Sequence, residues 1–306
     1  KIIITGANGQ LGWELQRTRP EGIVAVALNS SELDITNWEK VLETVRTLSP
    51  QVIINAAAYT AVDKAEEEVD KAFAVNADGA ANLAEAAKEV GARFVHISTD
   101  FVFDGLKSSP YLVSDPTNPA GVYGKSKLAG EQKIVEINGL ENCAILRTAW
   151  VYSAHGNNFV KTMLRLMAER DSLGIVADQT GTPTWANGLA KAVWKLAQIN
   201  QDGMFHWTDA GVASWYDFAV AIQEEALALG KSFHADTRKK SPSIPLCKGG
   251  LRGISECIIN PIGTADYPLP AKRPPFSVLD KSETWAKLGF SGQHWRKALR
   301  EMLKEL

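Results

Sequence analysis

The chain opens with the stretch Lys1-Ile2-Ile3-Ile4-Thr5-Gly6-Ala7-Asn8-Gly9-Gln10-Leu11-Gly12. Its first five residues form an apolar run typical of a buried β-strand, and a helical pattern carrying Leu11 and Leu15 overlaps the last glycine. Glycines in this position allow a tight turn, a close approach of the backbone to a pyrophosphate, and close packing of helix on strand. The order of strand, glycine turn and helix therefore predicts a dinucleotide-binding unit, although the spacing is G-x-x-G-x-x-G rather than G-x-G-x-x-G.

The first half of the chain repeats this alternation of apolar strand-like runs and amphipathic helices. Strand patterns cover residues 23–28, 52–55 and 93–98, and helical patterns cover residues 38–48 and 63–89. Such alternation is typical of a parallel sheet covered on both faces. It predicts an α/β fold, a Rossmann-type doubly wound parallel sheet.

The pattern loosens beyond residue 150. We therefore expect residues 1–150 to form the dinucleotide-binding domain and residues 151–306 to form a smaller, mixed C-terminal substrate lobe, with later segments free to return to the first domain. The stretch at about 236–257 carries prolines, glycines and cations without a helical or strand period. Because a long structureless loop in a compact domain is usually functional or disordered, we interpret this stretch as an insertion that loops out from the lobe.

The composition excludes several classes of protein. With 306 residues, 45% of them apolar, the chain can bury a sizeable core. Its net charge of −2 gives no sign of a surface for nucleic acid or for a membrane. The chain has three cysteines, Cys143, Cys247 and Cys257. They are too few and too irregularly spaced for a disulfide framework or a zinc site. These cysteines give no reason to expect a metal. Since neither a leader before the first strand nor an apolar run of about 20 residues occurs, we expect a cytoplasmic protein.

Tyr123 and Lys127 form a candidate catalytic pair. Four residues apart on a helix, they share one face, and a lysine cation beside a phenol lowers the pKa of the phenol. This arrangement predicts Tyr123 as a general acid, although the same spacing is common on solvated helix faces. Upstream, Thr99 and Asp100 end the strand pattern at 93–98, at the edge where open α/β sheets place their sites.

Four motifs together resemble the extended short-chain dehydrogenase/reductase superfamily: residues 5–12, residues 55–58, residues 98–100 and residues 123–127. Further stretches resemble the dTDP-4-dehydrorhamnose reductase family within it; they are residues 13–15, 61–66, 147–152, 156–159 and 270–274. The resemblance implies NADPH-dependent reduction of the C4 keto group of dTDP-4-dehydro-L-rhamnose to dTDP-L-rhamnose. The alternatives are a reductase of another nucleotide-sugar ketone and a non-catalytic NADP-binding regulatory subunit.

The resemblance also implies roles for particular residues. Tyr123 would donate a proton to the developing oxyanion, Thr99 would steady that oxyanion, and Lys127 would bind the nicotinamide ribose and tune Tyr123. Substrate contacts fall on Thr99, Asp100 and Trp150, although Trp150 could be an ordinary core tryptophan. The implied cofactor-binding residues are Gly6, Gly9, Gln10, Leu11, Gly12, Asn29, Asp34, Ile35, Ala58, Tyr59, Thr60, Tyr123 and Lys127.

The choice of nicotinamide cofactor depends on the residues directly after the second strand. An acidic residue there would hold the adenosine ribose and repel a 2′-phosphate, whereas this chain has Asn29-Ser30-Ser31. These neutral groups do not exclude NADPH, so we favour NADPH and keep NADH as possible. Asp34 and Ile35 match the family's adenine-side pair, although Asp34 could instead cap the helix that begins near Trp38.

Two further features bear on the substrate. Sugar-nucleotide dehydratases of this fold place an acidic residue after the motif aspartate, whereas this chain has Phe101, which favours reduction over loss of water. In the second lobe, cations could bind the diphosphate of a nucleotide sugar or could be solvated surface charges. These candidates are Lys161, Lys272 and Arg273.

The expected partner is therefore a small-molecule nucleotide sugar, and the expected assembly is a monomer or a weak homodimer. Some relatives form magnesium-linked dimers through glutamates. Glu14 matches one of these glutamates, but Asn187 stands where another would lie. Because a neutral amide is a poorer magnesium ligand than a carboxylate, we predict no magnesium-dependent dimer.

Overall fold

The computed structural model describes residues 1–199, 201–231, 254 and 257–306. The strands in these residues are β1 (Ile2–Thr5), β2 (Ala25–Leu28), β3 (Val52–Asn55), β4 (Arg93–Thr99), β5 (Cys143–Thr148), β6 (Val151–Tyr152), β7 (Ser172–Val176), β8 (Thr180–Gly181), β9 (Thr184–Trp185), β10 (Gly203–His206), β11 (Ala213–Ser214) and β12 (Ile258–Ile262). The α-helices are α1 (Gln10–Arg17), α2 (Trp38–Leu48), α3 (Val62–Ala65), α4 (Val69–Phe73), α5 (Gly79–Glu89), α6 (Val122–Asn138), α7 (Phe159–Glu169), α8 (Ala186–Gln198), α9 (Trp215–Ala228), α10 (Ser282–Leu288) and α11 (Trp295–Lys304). None of the helices in these residues has the length and apolar character of a membrane span.

Six parallel strands form the central sheet, in the order β10-β5-β4-β3-β1-β2. The chain passes from β1 to β2 on one side and then returns to β3 on the other side of β1. Such a reversal opens a crevice beyond the carboxyl ends of the two strands where ligands bind in open α/β sheets. The predicted doubly wound parallel sheet is confirmed.

The first strand shows why both faces of the sheet are covered. Ile2 and Ile4 pack into a core with α1 and α8, whereas Ile3 packs into a second core with α2 and α5. Successive side chains of a strand point to opposite faces, so an unbroken apolar run needs a helix layer on each side. The apolar run that opens the sequence is thus explained by burial on two faces.

Residues beyond 150 contribute to two cores. Helix α8 packs against α1, and β10 pairs in parallel with β5 at the edge of the sheet. A separate core joins α7, α9 and α11 with β7. The second lobe is therefore built around this separate core, and the domain boundary at residue 150 stays a prediction.

The helix predicted over residues 63–89 is not continuous. It consists of α3, α4, a π-helical segment (Ala74–Asp78) and α5. Helix α6 crosses the π-helical segment so closely that a Cβ on Gly130 would lie 2.2 Å from the Asn76 carbonyl oxygen. Because this contact involves backbone about 50 residues away, the local pattern of small residues did not predict the break. The second strand is also shorter than predicted and begins at Ala25.

Most of the stretch at 236–257 lies outside the described residues, but its carboxyl end does not. Ile254 and Cys257 are buried in the core of the second lobe. The Nε2 of Gln223 donates to the carbonyl oxygens of both residues, at 2.6 and 2.8 Å. These two residues therefore belong to the packed lobe rather than to an insertion that leaves it.

Candidate active site

The glycine turn lies between β1 and α1. Gly6 has a φ of +72°, and a Cβ there would lie 2.7 Å from the Ala56 carbonyl, while a Cβ on Gly12 would lie 2.1 Å from the Gly6 oxygen. Within the described chain no side chain caps α1, and its first turn carries no acidic residue. The uncapped amide groups and the positive end of the helix dipole leave this turn suited to an anion such as a pyrophosphate.

The loop after β2 carries a carboxylate that the sequence analysis did not consider. The Oε2 of Glu32 accepts from the Asn29 backbone N–H at 2.9 Å, which brings this carboxylate to the end of the strand. Asp34 accepts from the backbone and hydroxyl of Thr36, and α2 is capped by Asn37. The alternative role of Asp34 as the cap of α2 was therefore wrong, and a carboxylate at the end of the second strand is typical of sites that disfavour a 2′-phosphate.

Asn76 was also missed, and it holds the predicted cofactor segment at Ala58, Tyr59 and Thr60. Its Oδ1 accepts from the Tyr59 N–H at 2.8 Å, and its Nδ2 donates to the Tyr59 carbonyl at 3.0 Å and to the Ser126 hydroxyl at 3.0 Å. The π-helical segment thereby links the loop after β3 to α6. An asparagine in a run of small residues was the available signal.

Thr99 and Tyr123 meet at the carboxyl edge of the sheet. Thr99 ends β4, Tyr123 lies in the first turn of α6, and the Thr99 side chain contacts the phenol. A Cβ on Gly124 would lie 2.3 Å from the Phe101 carbonyl oxygen, so this glycine lets the helix approach the strand end. The Phe101 ring packs edge-on against Tyr123, with ring centres 5.4 Å apart.

The predicted effect of Lys127 on Tyr123 was wrong for the protein by itself. Burial raises the pKa of Tyr123 to about 12, while the neighbouring Thr99 hydroxyl acts in the opposite direction and the Asp100 carboxylate adds to the rise. Burial also lowers the pKa of Lys127 to about 8, against the influence of Glu131. Burial thus disfavours the charged forms of both groups and outweighs the expected effect of the lysine on the phenol.

Lys127 points into the protein interior. Its side chain is 1% exposed, and its Nζ donates to the Ile97 carbonyl at 2.7 Å and lies 3.2 Å from Nε2 of His96. Ile97 lies two residues before Thr99 on the same strand. Lys127 is thus fixed beside the strand that carries the predicted catalytic threonine.

Asp100 is a buried carboxyl next to Thr99. It is 2% exposed, and its Oδ1 accepts from the Thr99 hydroxyl at 3.0 Å. Burial raises the pKa of Asp100 to about 6, although the neighbouring hydroxyls of Ser277 and Thr99 favour the charged form. Ser277 had not been predicted, and it brings the segment after residue 270 to the site.

Trp150 adopts a left-handed backbone with a φ of +49°. Its indole stacks on Trp215 with ring centres 3.5 Å apart and planes 5° from parallel, and a Cβ on Gly181 would lie 2.6 Å from it. A bulky residue in this backbone region is an outlier that persists only where its surroundings hold it. This geometry distinguishes Trp150 from an ordinary core tryptophan.

The cations of the second lobe that were candidates for a diphosphate have different surroundings. Lys161 donates to the Ala154 carbonyl at 3.2 Å, and Lys272 is exposed. Arg273 forms a two-bond fork with the carboxylate of Asp63, at 2.9 and 2.8 Å. Since Asp63 already occupies the fork of Arg273, a diphosphate would have to replace that carboxylate.

Glu14 is fully buried and its carboxylate is hydrogen-bonded within the chain. It accepts from Arg17 at 2.9 Å, from Asn187 at 3.0 Å and from Ser153 at 3.1 Å. In residues 1–199, 201–231, 254 and 257–306, no group of three histidine, cysteine or acidic side chains could hold a metal. The absence of a magnesium-dependent dimer stays a prediction.

Comparison with known proteins identifies the family. All 306 residues match the family model described as the RmlD substrate binding domain. A dTDP-4-dehydrorhamnose reductase of Aggregatibacter actinomycetemcomitans is 42% identical over 99% of this chain and 98% of its own length. A crystal structure of such a reductase from Clostridium acetobutylicum has a TM-score of 0.87 and 40% identity, over 99% of this chain and 98% of that one. Another, from Bacillus anthracis in complex with NADP, has a TM-score of 0.87 and 36% identity, over 100% and 99%. The chain therefore belongs to the dTDP-4-dehydrorhamnose reductase family of oxidoreductases.

Proposed function

We propose that this chain reduces the C4 keto group of dTDP-4-dehydro-L-rhamnose with NADPH and so forms dTDP-L-rhamnose. The observation that carries the proposal is the meeting of Thr99 and Tyr123 at the carboxyl edge of the sheet, with Lys127 buried beside them. Only β3 separates β4 from β1, so the site and the glycine turn lie at the same end of the sheet. Full-length relatives of about 40% identity that are named as this reductase support the same reaction.

NADPH would supply the hydride when bound. The turn at Gly6, Gly9 and Gly12 would hold its pyrophosphate, and the alanine-rich loop after β3 would lie along its nicotinamide half. Gln10, Leu11, Asn29, Asp34 and Ile35 would contact the remainder. The solved relative with NADP supports this choice of cofactor, and the carboxylate of Glu32 keeps NADH possible.

Tyr123 would donate the proton. With a pKa of about 12 in the protein by itself, its phenol is protonated at neutral pH, which suits an acid that acts on a developing oxyanion. Thr99 would give the oxyanion a second hydrogen bond. Since the Thr99 hydroxyl donates to Asp100 in the structure, it must first turn away from that carboxyl group.

The surroundings of Tyr123 favour reduction over dehydration. Elimination of water requires a further acid or base beside the proton donor. The residue after Asp100 is Phe101, whose apolar ring packs against the phenol. Trp150 and Trp215 would form an aromatic wall for the sugar on the side of the second lobe.

The direct test is oxidation of NADPH by the purified chain with a panel of nucleotide-sugar ketones. We expect turnover with dTDP-4-dehydro-L-rhamnose, and dTDP-L-rhamnose as the product by mass spectrometry and NMR. Turnover only with a ketone on another nucleotide would indicate the alternative reductase. Tight NADPH binding without turnover of any ketone would instead indicate a regulatory subunit.

A further inference from the structure

A chain of buried hydrogen bonds runs beneath the site, from the first strand to Lys127. It joins Thr5 of β1, Asn55 of β3, His96 of β4 and Lys127 of α6, and each of these side chains is 1% exposed. The Thr5 hydroxyl donates to Asn55 Oδ1 at 2.7 Å, and Asn55 Nδ2 lies 3.0 Å from His96 Nδ1. The proposed mechanism uses only the last member of this chain.

The backbone decides how the Asn55 amide is turned. The N–H of Ala57 lies 3.1 Å from the Asn55 side-chain atom that also accepts from Thr5. Because a backbone N–H can only donate, that atom must be the oxygen. The other end of the amide, the NH₂ group, therefore faces His96.

The tautomer of His96 follows from this orientation. An NH₂ group only donates, so Nδ1 of His96 accepts and carries no proton. Burial holds the pKa of His96 well below its usual value, so the ring is neutral. The proton of this neutral ring must then lie on Nε2, the nitrogen 3.2 Å from Lys127 Nζ.

An Nε2–H group can hydrogen-bond Lys127 only if the lysine nitrogen accepts. An ammonium has no lone pair, whereas a neutral amine can accept from His96 and still donate to the Ile97 carbonyl, 2.7 Å away. The charged and titratable groups on the elements around Lys127 include Tyr123 and Glu131 on α6, Asp100 after β4, and Arg147 on β5, and of these Glu131 raises the pKa of Lys127. Arg147 forms a buried ion pair with Glu131 and reduces the pull of that carboxylate on Lys127. In the π-helical segment, Asp78 is paired with Lys133.

We propose that His96 is a positioning residue that favours the neutral amine of Lys127 in the free protein, so that binding of NADP(H) is coupled to proton uptake at Lys127. The coupling rests on the proposed function, in which Lys127 faces the cofactor. Phosphates of the dinucleotide favour the ammonium, and an ammonium is no longer a partner for the Nε2–H of His96. The charged side chain therefore leaves His96 and turns toward the ribose hydroxyls. Thr5 and Asn55, at the ends of two strands, determine the tautomer of His96 and thereby its contact with Lys127.

Calorimetric titration of the full chain with NADP⁺, near pH 8.5 in two buffers of different ionisation enthalpy, measures the protons taken up. A free-protein pKa of about 8 for Lys127 leaves about three quarters of this lysine neutral at that pH, so we expect about 0.7 proton per cofactor. Lys127→Met should abolish the uptake. NADP⁺ binding by the wild-type chain without proton uptake would overturn the proposal.

Two substitutions of His96 form a matched pair. The side-chain nitrogen of His96→Gln can occupy the place of Nε2 and still donate to Lys127, whereas His96→Asn is too short to do so. We expect His96→Gln to retain the proton uptake and His96→Asn to reduce it to about one third, because the neutral amine loses its donor. Equal uptake by both variants would rule out a positioning role for His96.

A measurement without cofactor separates this proposal from the proposed function. In histidine-labelled wild-type protein, the ¹⁵N resonances of His96 can be assigned by their loss in His96→Gln, among five histidines in the chain. We expect the neutral tautomer with its proton on Nε2. An imidazolium or the Nδ1–H tautomer would overturn the proposal even if the reductase activity is found. If the tautomer is as expected but NADP⁺ does not bind, the coupling and the proposed function are contradicted, whereas the contact between His96 and Lys127 is not.

Discussion

At the carboxyl edge of the sheet, Thr99, Asp100 and Lys127 are buried and hydrogen-bonded to protein atoms. In the second lobe, by contrast, Lys272 is exposed and Arg273 is only partly buried. Burial of an ionisable group is costly and shifts its pKa, so the buried groups must have a reason to be there. An exposed cation needs no partner beyond water. The comparison indicates that burial and hydrogen bonding, more than charge, mark the reacting end of this site.

The largest effect should come from removing the proton donor at the edge. Tyr123→Phe keeps the ring and its contact with Phe101 but removes the proton, so we expect kcat to fall by about 10²–10⁴-fold while NADPH affinity is retained. Steady-state turnover and fluorescence titration measure the two quantities. Lys125→Ala, an exposed change on the same helix, is the control and should leave both quantities unchanged. Near-native turnover of Tyr123→Phe would contradict the proposed role.

The second effect concerns stability and tests whether burial at the edge is costly. The pKa of Asp100 is raised from 3.8 to about 6, so its contribution to stability is present below pH 3.8 and is lost as the pH rises through 6. A rise of about two pKa units corresponds to about 3 kcal/mol. Relative to Asp100→Asn, the wild-type protein should therefore lose about this much stability between pH 3 and pH 7.5, as measured by urea unfolding.

Asp104 provides the matched control for this measurement. Hydrogen bonds from the Leu106 N–H and the Tyr111 hydroxyl lower the pKa of Asp104, so its contribution is present above pH 3.8 and is lost as the pH falls through its depressed pKa. Asp104→Asn should then show the opposite dependence on pH, confined to the range below about pH 4. The same dependence in both variants would mean that burial does not govern Asp100.

A smaller effect tests whether Arg273 acts through Asp63 or on the substrate. If the fork with Asp63 serves to hold the segment that brings Ser277 to the site, Arg273→Ala and Asp63→Asn should each raise the substrate KM about fivefold. The double variant should be no worse than either single one, since both remove the same contact. A much larger rise in KM for Arg273→Ala than for Asp63→Asn would instead indicate direct contact with the diphosphate.

The smallest effect is expected from shortening the unusual stretch of the second lobe. Replacing residues 239–251 by a short Gly/Ser bridge should leave kcat and KM within a few-fold, because the length of a connecting segment has little effect on stability. Extending the deletion through residue 256 removes the buried Ile254, and Ile254→Ala alone should cost about 2–4 kcal/mol in urea unfolding. A large rise in KM for the shorter deletion would show that these residues belong to the site.

The fold and the catalytic edge could be predicted because their signals are local. A strand followed by Gly6 and Gly12 defines the turn, and the rule for strand ends in parallel sheets brings Thr99 beside Tyr123. Spacing on a helix also predicted that Lys127 would share a face with Tyr123. It could not reveal burial, which reversed the expected change in the pKa of Tyr123.

The missed features depend on residues distant in sequence. His96 is 41 residues from Asn55, and Asn76 is 50 residues from Ser126. Arg273 is 210 residues from Asp63, so its charge was visible in the sequence but its partner was not. The π-helical break likewise depends on Gly130 of another helix. Such pairs arise from tertiary packing and leave no periodic pattern.

The stacked indoles of Trp150 and Trp215 also have an optical consequence. Their ring centres are 3.5 Å apart and their planes are nearly parallel, so the electronic transitions of the two rings couple as an exciton pair. Coupled transitions of this kind contribute a paired signal to the circular dichroism of aromatic side chains, and the signal changes when either ring turns. The protein thus contains an intrinsic chromophore pair in which a ligand that moves Trp150 can be followed in solution without a label.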